Sequence, residues 1–519
     1  MFLFRPLTRI ALSLVLVAAV VPAAGQSLKP LPFNTKQPIV GHMWTAGSWA
    51  AFCMEETNRS LNGDEDTEDT VLVFVDLRTM SLVPTGLALD FTEVDNEESP
   101  PVAFGKGYAA FLVSEADQGG RDLNGDGKAN GNVVGIVNLA NRQSTNLGFA
   151  AHYLRFREDT LYFVRSEADA KQDLNGDRDL RDQVLSSYDP INRKFESLGM
   201  EADLGVGAAG DWIVTYTSES AQGGRDQNGD GDTLDVVAML YSLSQKNWRS
   251  SGLEASGGGV LTPKLFAAGV EEGRQGKQDL NRDGDATDTV CVVYDLNTGK
   301  LFNTGQECGG GIAADDTVVG LVTRERMQGP QDPARQDLNK DGDNKDDVLQ
   351  IYVLGSESVR NPGWDASGGI AAAGGRIAFS CDEMNQGKKD LNRDRDALDL
   401  VLMIYDPITN AVKSLGIATE GPLIAAGSRV AFKVPEADQR DTDLNGDRDL
   451  EDLVVHVMDV ASEAPYNTRL ASGQQMGIGP QAVVFPVSEF DQGNADLNGD
   501  RDADDDIGYV IRLSAEASK

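Results

Sequence analysis

The chain has 519 residues, 40% of them hydrophobic, and a formal net charge of −36 from 46 lysines and arginines against 82 aspartates and glutamates. The apolar fraction fits a packed protein and excludes a disordered one. The acidic balance excludes nucleic acid as a partner, because phosphate backbones are bound by Lys and Arg, and four cysteines are too few for a disulfide scaffold.

In chain order, residues 1–25 read as a secretory signal peptide. Arg5 and Arg9 give a positive start, 10–21 is an apolar run, and Ala23, Ala24 and Gly25 are small enough for cleavage. The run is short for a membrane span and no later stretch is long and apolar enough. The expectation is a protein that is secreted, periplasmic or at the cell surface, with no membrane span after cleavage. Cleavage removes two arginines and no acids, which leaves −38. So large a self-repulsion calls for an offset. Residues 26–38, with Pro30, Pro32 and Pro38, form an N-terminal arm.

Residues 39–513 are expected to be one β-propeller of about nine repeats, followed by a tail at 514–519. The repeat is clearest at 368–417. A short apolar strand ends at Gly374-Gly375. A second strand alternates over 376–381, an Asp-rich loop follows, and a third strand spans 400–405. A turn at 406–410 leads to a fourth strand ending at Gly416. The second strand recurs at 49–52, 108–113, 161–164, 212–216, 265–270, 318–322, 430–434 and 483–487. The third recurs at 71–75, 133–137, 184–188, 236–241, 290–294, 348–353, 454–458 and 507–511. No helical period appears, so the fold class is all-β, with four-stranded antiparallel blades. The last repeat lacks a fourth strand, and the arm near 28–33 is placed to supply it and hide both sheet edges. A ring of eight with a divergent end, or two smaller rings, are the other arrangements.

The loop between the second and third strands organises the chain. It starts at Ser60, Asp122, Asp173, Asp226, Asp279, Asp337, Asp390, Asp443 and Asp496, at spacings of 62, 51, 53, 53, 58, 53, 53 and 53 residues. The wide first spacing comes from an acidic insertion at 90–99. Oxygen-bearing side chains stand at loop positions one, three, five, seven and ten. After Ser60 these are Asn62, Asp64, Asp66 and Asp69; the second loop has Asp122, Asn124 and Asp126. The third has Asp173, Asn175, Asp177, Asp179 and Asp182, and the fourth Asp226, Asn228, Asp230, Asp232 and Asp235. Next come Asp279, Asn281, Asp283, Asp285 and Asp288, then Asp337, Asn339, Asp341, Asp343 and Asp346. The last three hold Asp390, Asn392, Asp394, Asp396 and Asp399; Asp443, Asn445, Asp447, Asp449 and Asp452; and Asp496, Asn498, Asp500, Asp502 and Asp505.

Ca²⁺ takes six to eight oxygens in flexible geometry, and a tight loop with oxygens at alternate positions wraps such an ion. Positions one, three and five supply side chains, position seven its backbone carbonyl, and position ten a closing carboxylate. Zinc is disfavoured because the loops lack His and Cys. About seven to nine Ca²⁺ are expected, and nine would offset about half of the net charge. The second loop departs most, with Lys128 at seven and Gly131 at ten, where Asn130 or Asn132 is the available substitute. Gly stands at position six as Gly127, Gly231, Gly284 and Gly342, but Arg178, Arg395, Arg448 and Arg501 replace it elsewhere. Those loops either turn differently or adopt a φ unfavourable to arginine.

The run Asp122-Leu123-Asn124-Gly125-Asp126-Gly127 resembles the calcium loops of EF-hand, dockerin and FG-GAP proteins. The FG-GAP resemblance implies calcium held between strands of an integrin-like propeller blade. It covers the loop and the strand after it, without the Phe-Gly and Gly-Ala-Pro signatures. The closing Asp falls at ten, against nine in FG-GAP loops and twelve in EF-hands, and no helices flank the loops.

A Glu ends most second strands, as Glu115, Glu167, Glu219, Glu272, Glu325, Glu383, Glu436 and Glu489. It either completes the metal shell or points into solvent. Gln118, Gln222, Gln328, Gln386 and Gln492 follow it and are expected to shape the loop. Catalysis leaves little trace: His42, His152 and His456 occupy unrelated repeat positions, and there is no nucleophile elbow or phosphate-binding loop. Cys291 and Cys308 share a repeat and are placed to pair; Cys53 and Cys381 lie in distant repeats. The reading is a monomeric calcium-binding propeller acting as a binding or scaffold module for a protein or glycan ligand. The alternative is a Ca²⁺-dependent hydrolase or lyase with its site in the central channel, marked by one blade whose inward residues break the repeat.

Overall fold

A strand whose residues are nearly all apolar needs cover on both faces, and the middle strands of each repeat are of that kind. A computed structural model describes residues 29–56, 60–89, 102–202, 204–255, 258–329 and 337–514. The stretch 1–25 read from sequence as a leader, the start of the arm, the insertion at 90–99 and the tail beyond 514 lie outside these residues. The chain forms nine four-stranded antiparallel sheets, one more than the usual upper limit for propeller blades. Blades one to eight are consecutive, at 40–88, 102–146, 152–201, 206–254, 259–307, 311–360, 370–418 and 420–471.

Blade nine joins the two ends of the chain. Gly477–Ile478, Ala482–Ser488 and Asp506–Ser514 are its first three strands, and Lys29–Pro38 is its fourth. Phe33 stands opposite Val510 and Asn34 opposite Tyr509. The N-terminal strand lies at the outer edge, where proline's missing N–H leaves no ladder bond broken.

The second and third strands extend a residue or two past the apolar runs, and most are seven residues long, as in Trp49–Glu55 and Thr70–Asp76. Their two faces serve different junctions. Trp49, Ala51 and Cys53 pack with Ala109, Phe111 and Val113 of blade two. Ala50 and Phe52 pack instead with Val484 and Val510 of blade nine. A buried Phe recurs mid-strand as Phe52, Phe111, Phe163, Phe379, Phe432 and Phe485, each contributing roughly 2 kcal/mol of burial. The core is thus a ring of clusters, one between each pair of neighbouring blades. Cys291 and Cys308 lie together in the cluster between blades five and six, as thiols, while Cys53 and Cys381 belong to separate junctions. The helical elements are short, Glu167–Ala170 and Glu325–Met327. Among the described residues no helix is long and apolar enough to cross a membrane.

Candidate functional site

The Asp-rich loop is a chain of Asx turns, in which each acidic or amide side chain accepts from a backbone N–H two residues on. In the loop at Asp173, Asn175 Oδ1 accepts from Asp177 N–H at 3.0 Å, Asp177 Oδ1 from Asp179 N–H at 3.0 Å, and Asp179 Oδ1 from Arg181 N–H at 2.9 Å. The Asp173 carboxylate closes the front of the loop, accepting from Gly176 N–H at 2.6 Å and Arg178 N–H at 3.1 Å. Asn175 Nδ2 donates to the closing Asp182 Oδ2 at 2.8 Å.

Beneath each loop sits the Glu that ends the second strand. Glu115, Glu167, Glu219, Glu272, Glu325, Glu383, Glu436 and Glu489 are fully buried, so the solvent-facing alternative is wrong. Glu167 Oε1 accepts from Leu174 N–H at 2.5 Å and Asn175 N–H at 3.2 Å, and Oε2 from Asp182 N–H at 3.4 Å. The carboxylate is the template on which the loop is wound. Blade one has the same device in Glu56, which accepts from Leu61 and Asn62 N–H. Sequence reading missed Glu56, although its place at the end of an apolar strand before an Asp-rich loop was visible.

The same Glu joins the loop acids in compact groups able to hold a metal ion. Glu56, Asp64, Asp66 and Asp69 form one; Glu167, Asp177, Asp179 and Asp182 a second; Glu436, Asp447, Asp449 and Asp452 a third. Glu219 groups with Asp232 and Asp235, and Glu272 with Asp285 and Asp288; three further groups occur. In each, one oxygen per side chain lies within 4.8 Å of all the others. Two details differ from expectation. The position-seven side chain itself enters these groups, not only its carbonyl. Position one stands outside the five named groups, its oxygens occupied by the loop backbone.

The closing Asp records the electrostatic cost of the arrangement. Burial first, and then the neighbouring position-five Asp, push Asp399 up to about 8 from 3.8. Asp69, Asp288 and Asp452 rise to about 7, and Asp182, Asp235 and Asp346 to about 6, again with burial as the main cause. Glu56 Oε2, Glu436 Oε2 and Asp447 Oδ2 are buried oxygens with no hydrogen-bond partner. A concave cluster of anionic oxygens, some with no donor, fits a bound cation.

The second loop keeps its shape without a closing Asp. Gly131 N–H donates to Glu115 Oε2 at 3.2 Å, as the closing Asp does elsewhere, but brings no carboxylate. Asn132 is buried there with its Oδ1 unpartnered. The arginines at position six do not change the turn. Arg178, Arg395, Arg448 and Arg501 have φ of 85°, 97°, 90° and 91°, beside 91° for Gly127 and 106° for Gly231. Each residue so placed stores on the order of 1 kcal/mol of strain.

The glutamines, expected from sequence to shape their own loops, instead clamp the preceding blade with their side-chain amides. Gln222 Oε1 accepts from Glu201 N–H at 2.7 Å, and its Nε2 donates to the Gly199 carbonyl at 3.3 Å. Gln118, Gln328, Gln386 and Gln492 do the same, joined by Gln275 and Gln439, which sequence reading passed over. The loop Asn reaches the other way: Asn392 Nδ2 donates to the Asp438 carbonyl of the next blade at 3.0 Å, and Asn445 to that of Asp491 at 2.9 Å. Neighbouring loops therefore touch, and the clusters share one face of the ring.

No protein-family model matches the chain, and no curated protein matches it. Among solved structures it is similar to the β-propeller domain of the Trilobed protease from Pyrococcus furiosus, at 9% identity over 82% of this chain and 96% of that one, with a TM-score of 0.34. A prolyl endopeptidase is similar at 8% identity over 88% of this chain and 52% of its own, with a TM-score of 0.40. TolB from Acinetobacter baumannii is similar at 10% identity over 82% and 80%, with a TM-score of 0.27. Scores this low carry no argument; the fold rests on the sheets themselves.

Proposed function

We propose that the chain is a secreted, calcium-stabilised propeller serving as a binding or scaffold module. The carrying observation is the repeated cluster of a buried Glu with the loop acids at positions seven and ten, joined by the position-five acid beside Glu56, Glu167 and Glu436. Oxygens on a sphere of about 2.4 Å radius around one Ca²⁺ lie no more than about 4.8 Å apart, and the cluster oxygens meet that limit. All donors in these groups are carboxylates, which favours a hard cation over zinc. A bound Ca²⁺ would neutralise the closing Asp and tie the end of the second strand to the start of the third. Because the sites recur around the ring, their role is structural first.

Among the residues lining the channel-side cavity, His42 and Lys433 are the titratable side chains, and no carboxylate there supports the hydrolase or lyase alternative. The cavity there, described below, has no Asp or Glu among its lining residues, so it offers no carboxylate pair for acid–base work.

The test is calorimetric ion counting on metal-free protein, with melting in EDTA and in millimolar Ca²⁺. About eight ions, one per cluster, and a large rise in melting temperature are expected. An ion at ten times its dissociation constant adds roughly 1.4 kcal/mol. Replacing Asp447 and Asp452 together by Asn lowers the count by about one. No heat and no shift would sink the calcium reading.

A further inference from the structure

Repetition makes exceptions legible, and one exception lies in the central channel. The fifth residue of the second strand is Cys53, Leu112, Val164, Tyr216, Gly269, Val322, Ser380 and Pro486 in eight blades, and Lys433 in blade eight. Lys433 is 7% exposed. Its Nζ donates to the Gly473 carbonyl at 3.2 Å, and among the described residues it makes no ion pair. An ammonium has three donors, so this buried cation has donors to spare, and Glu420, opposite it in the sheet, is its countercharge without an ion pair being formed. Burial pulls its amine below the ordinary lysine value, against a smaller opposing pull from Glu420.

Lys433 lines a cavity of about 740 Å³ bounded by the inner strands of blades one, two, eight and nine, within the usual range of ligand pockets, about 300–1,000 Å³. The ring is irregular beside the cavity. The inner strand of blade eight slips register between Glu420 and Ile424, and that of blade one between Val40 and Trp44. The inner strand of blade nine is only Gly477–Ile478. A Cβ on Gly477 would meet the Met43 carbonyl at 2.5 Å, so glycine lets blades nine and one close beside the cavity. The remaining wall is largely apolar, with Trp44, Phe104, Ile424, Met476 and Ile478.

We propose that this cavity binds a small amphiphilic carboxylate, with its anionic head on Lys433 and its aromatic or aliphatic body against Trp44, Phe104 and Ile424. A charge-assisted bond from a buried ammonium supplies orientation, and the apolar wall supplies most of the affinity. The long-range field of the acidic protein opposes an anion, but salt screens that field while leaving the buried pair nearly intact. Affinity therefore holds or rises with ionic strength. The site is independent of the metal clusters, since none of its lining residues belongs to the five named groups.

The test uses the full chain in millimolar Ca²⁺, titrated calorimetrically with phenylacetate and with its neutral analogue phenethyl alcohol. The wild type should bind the acid at least about tenfold more tightly, the usual scale of a hydrogen bond to a charged group. Lys433→Met should remove that preference and leave alcohol binding within roughly twofold, while Trp44→Ala should weaken both. Equal affinity of the wild type for acid and alcohol, binding of neither, or full acid preference in Lys433→Met would overturn the proposal. The wild-type comparison decides even if a variant fails to fold.

Discussion

Glu383 and Asp399 show how much one repeat asks of two side chains. Glu383 accepts from Leu391, Asn392 and Asp399 N–H at the bottom of the loop, and burial outweighs those bonds and raises its carboxyl above the ordinary value. Asp399 then sits above it with Asp394 beside it, and its carboxyl is pushed up to about 8. In metal-free protein the folded state binds more protons than the unfolded state between about pH 4 and pH 8, so stability falls as pH rises through that window. Calcium needs the ionised form, so in its presence the same window should bring a gain. Melting curves in EDTA and in millimolar Ca²⁺ from pH 5 to pH 8 should therefore run in opposite directions. Parallel curves would show that the closing acids do not bind calcium.

At the scale of elements, the blade junction is held by backbone groups that no sheet satisfies. Gln386 is buried, with Oε1 accepting from Asp365 N–H at 2.7 Å and Nε2 donating to the Gly363 carbonyl at 3.3 Å. Asp365, also buried, accepts from Asp382 N–H at 2.8 Å, so the clamp runs in both directions across the junction. Glu201, Glu254 and Glu307 occupy the corresponding place in other blades, accepting from Ser218, Glu271 and Arg324 N–H. Gln386→Leu keeps the volume but strands a buried donor and acceptor, at a cost of about 2 kcal/mol. The denaturant midpoint should fall accordingly; an unchanged midpoint would mean the clamp is inert. Blade three has Ala170 where the clamp would stand, and the short helix Glu167–Ala170 turns the chain there instead.

At the scale of the whole molecule, closure is decided by one strand from the far end of the chain. Asn34 Nδ2 donates to the Leu497 carbonyl at 2.9 Å, the bond that Asn303 makes to Leu280 and Asn467 to Leu444 within their own blades. The N-terminal strand thus reproduces the chemistry of a fourth strand as well as its pairing. Deleting residues 29–38 should bare the strand Asp506–Ser514 as a free sheet edge. The expected result is a lower melting temperature with self-association, read by light scattering on a sizing column. A monomer of unchanged stability would show that blade nine closes without it.

Much of this was legible in the sequence. Short apolar runs separated by closely similar acidic loops mark the strands, the number of repeats and the candidate ligand positions, because each is a local property repeated until chance is excluded. The strand-ending Glu was visible too, but not its burial, since a carboxylate beside a loop reads the same facing solvent or capping N–H groups. The Gln clamps and the Lys433 cavity depend on contacts between blades. Their partners lie some twenty residues away in the chain, or forty in the case of Gly473. Strand periodicity is written in neighbouring residues; which donors are left for another blade to satisfy, and where the ring loosens into a cavity, is decided only when the blades meet.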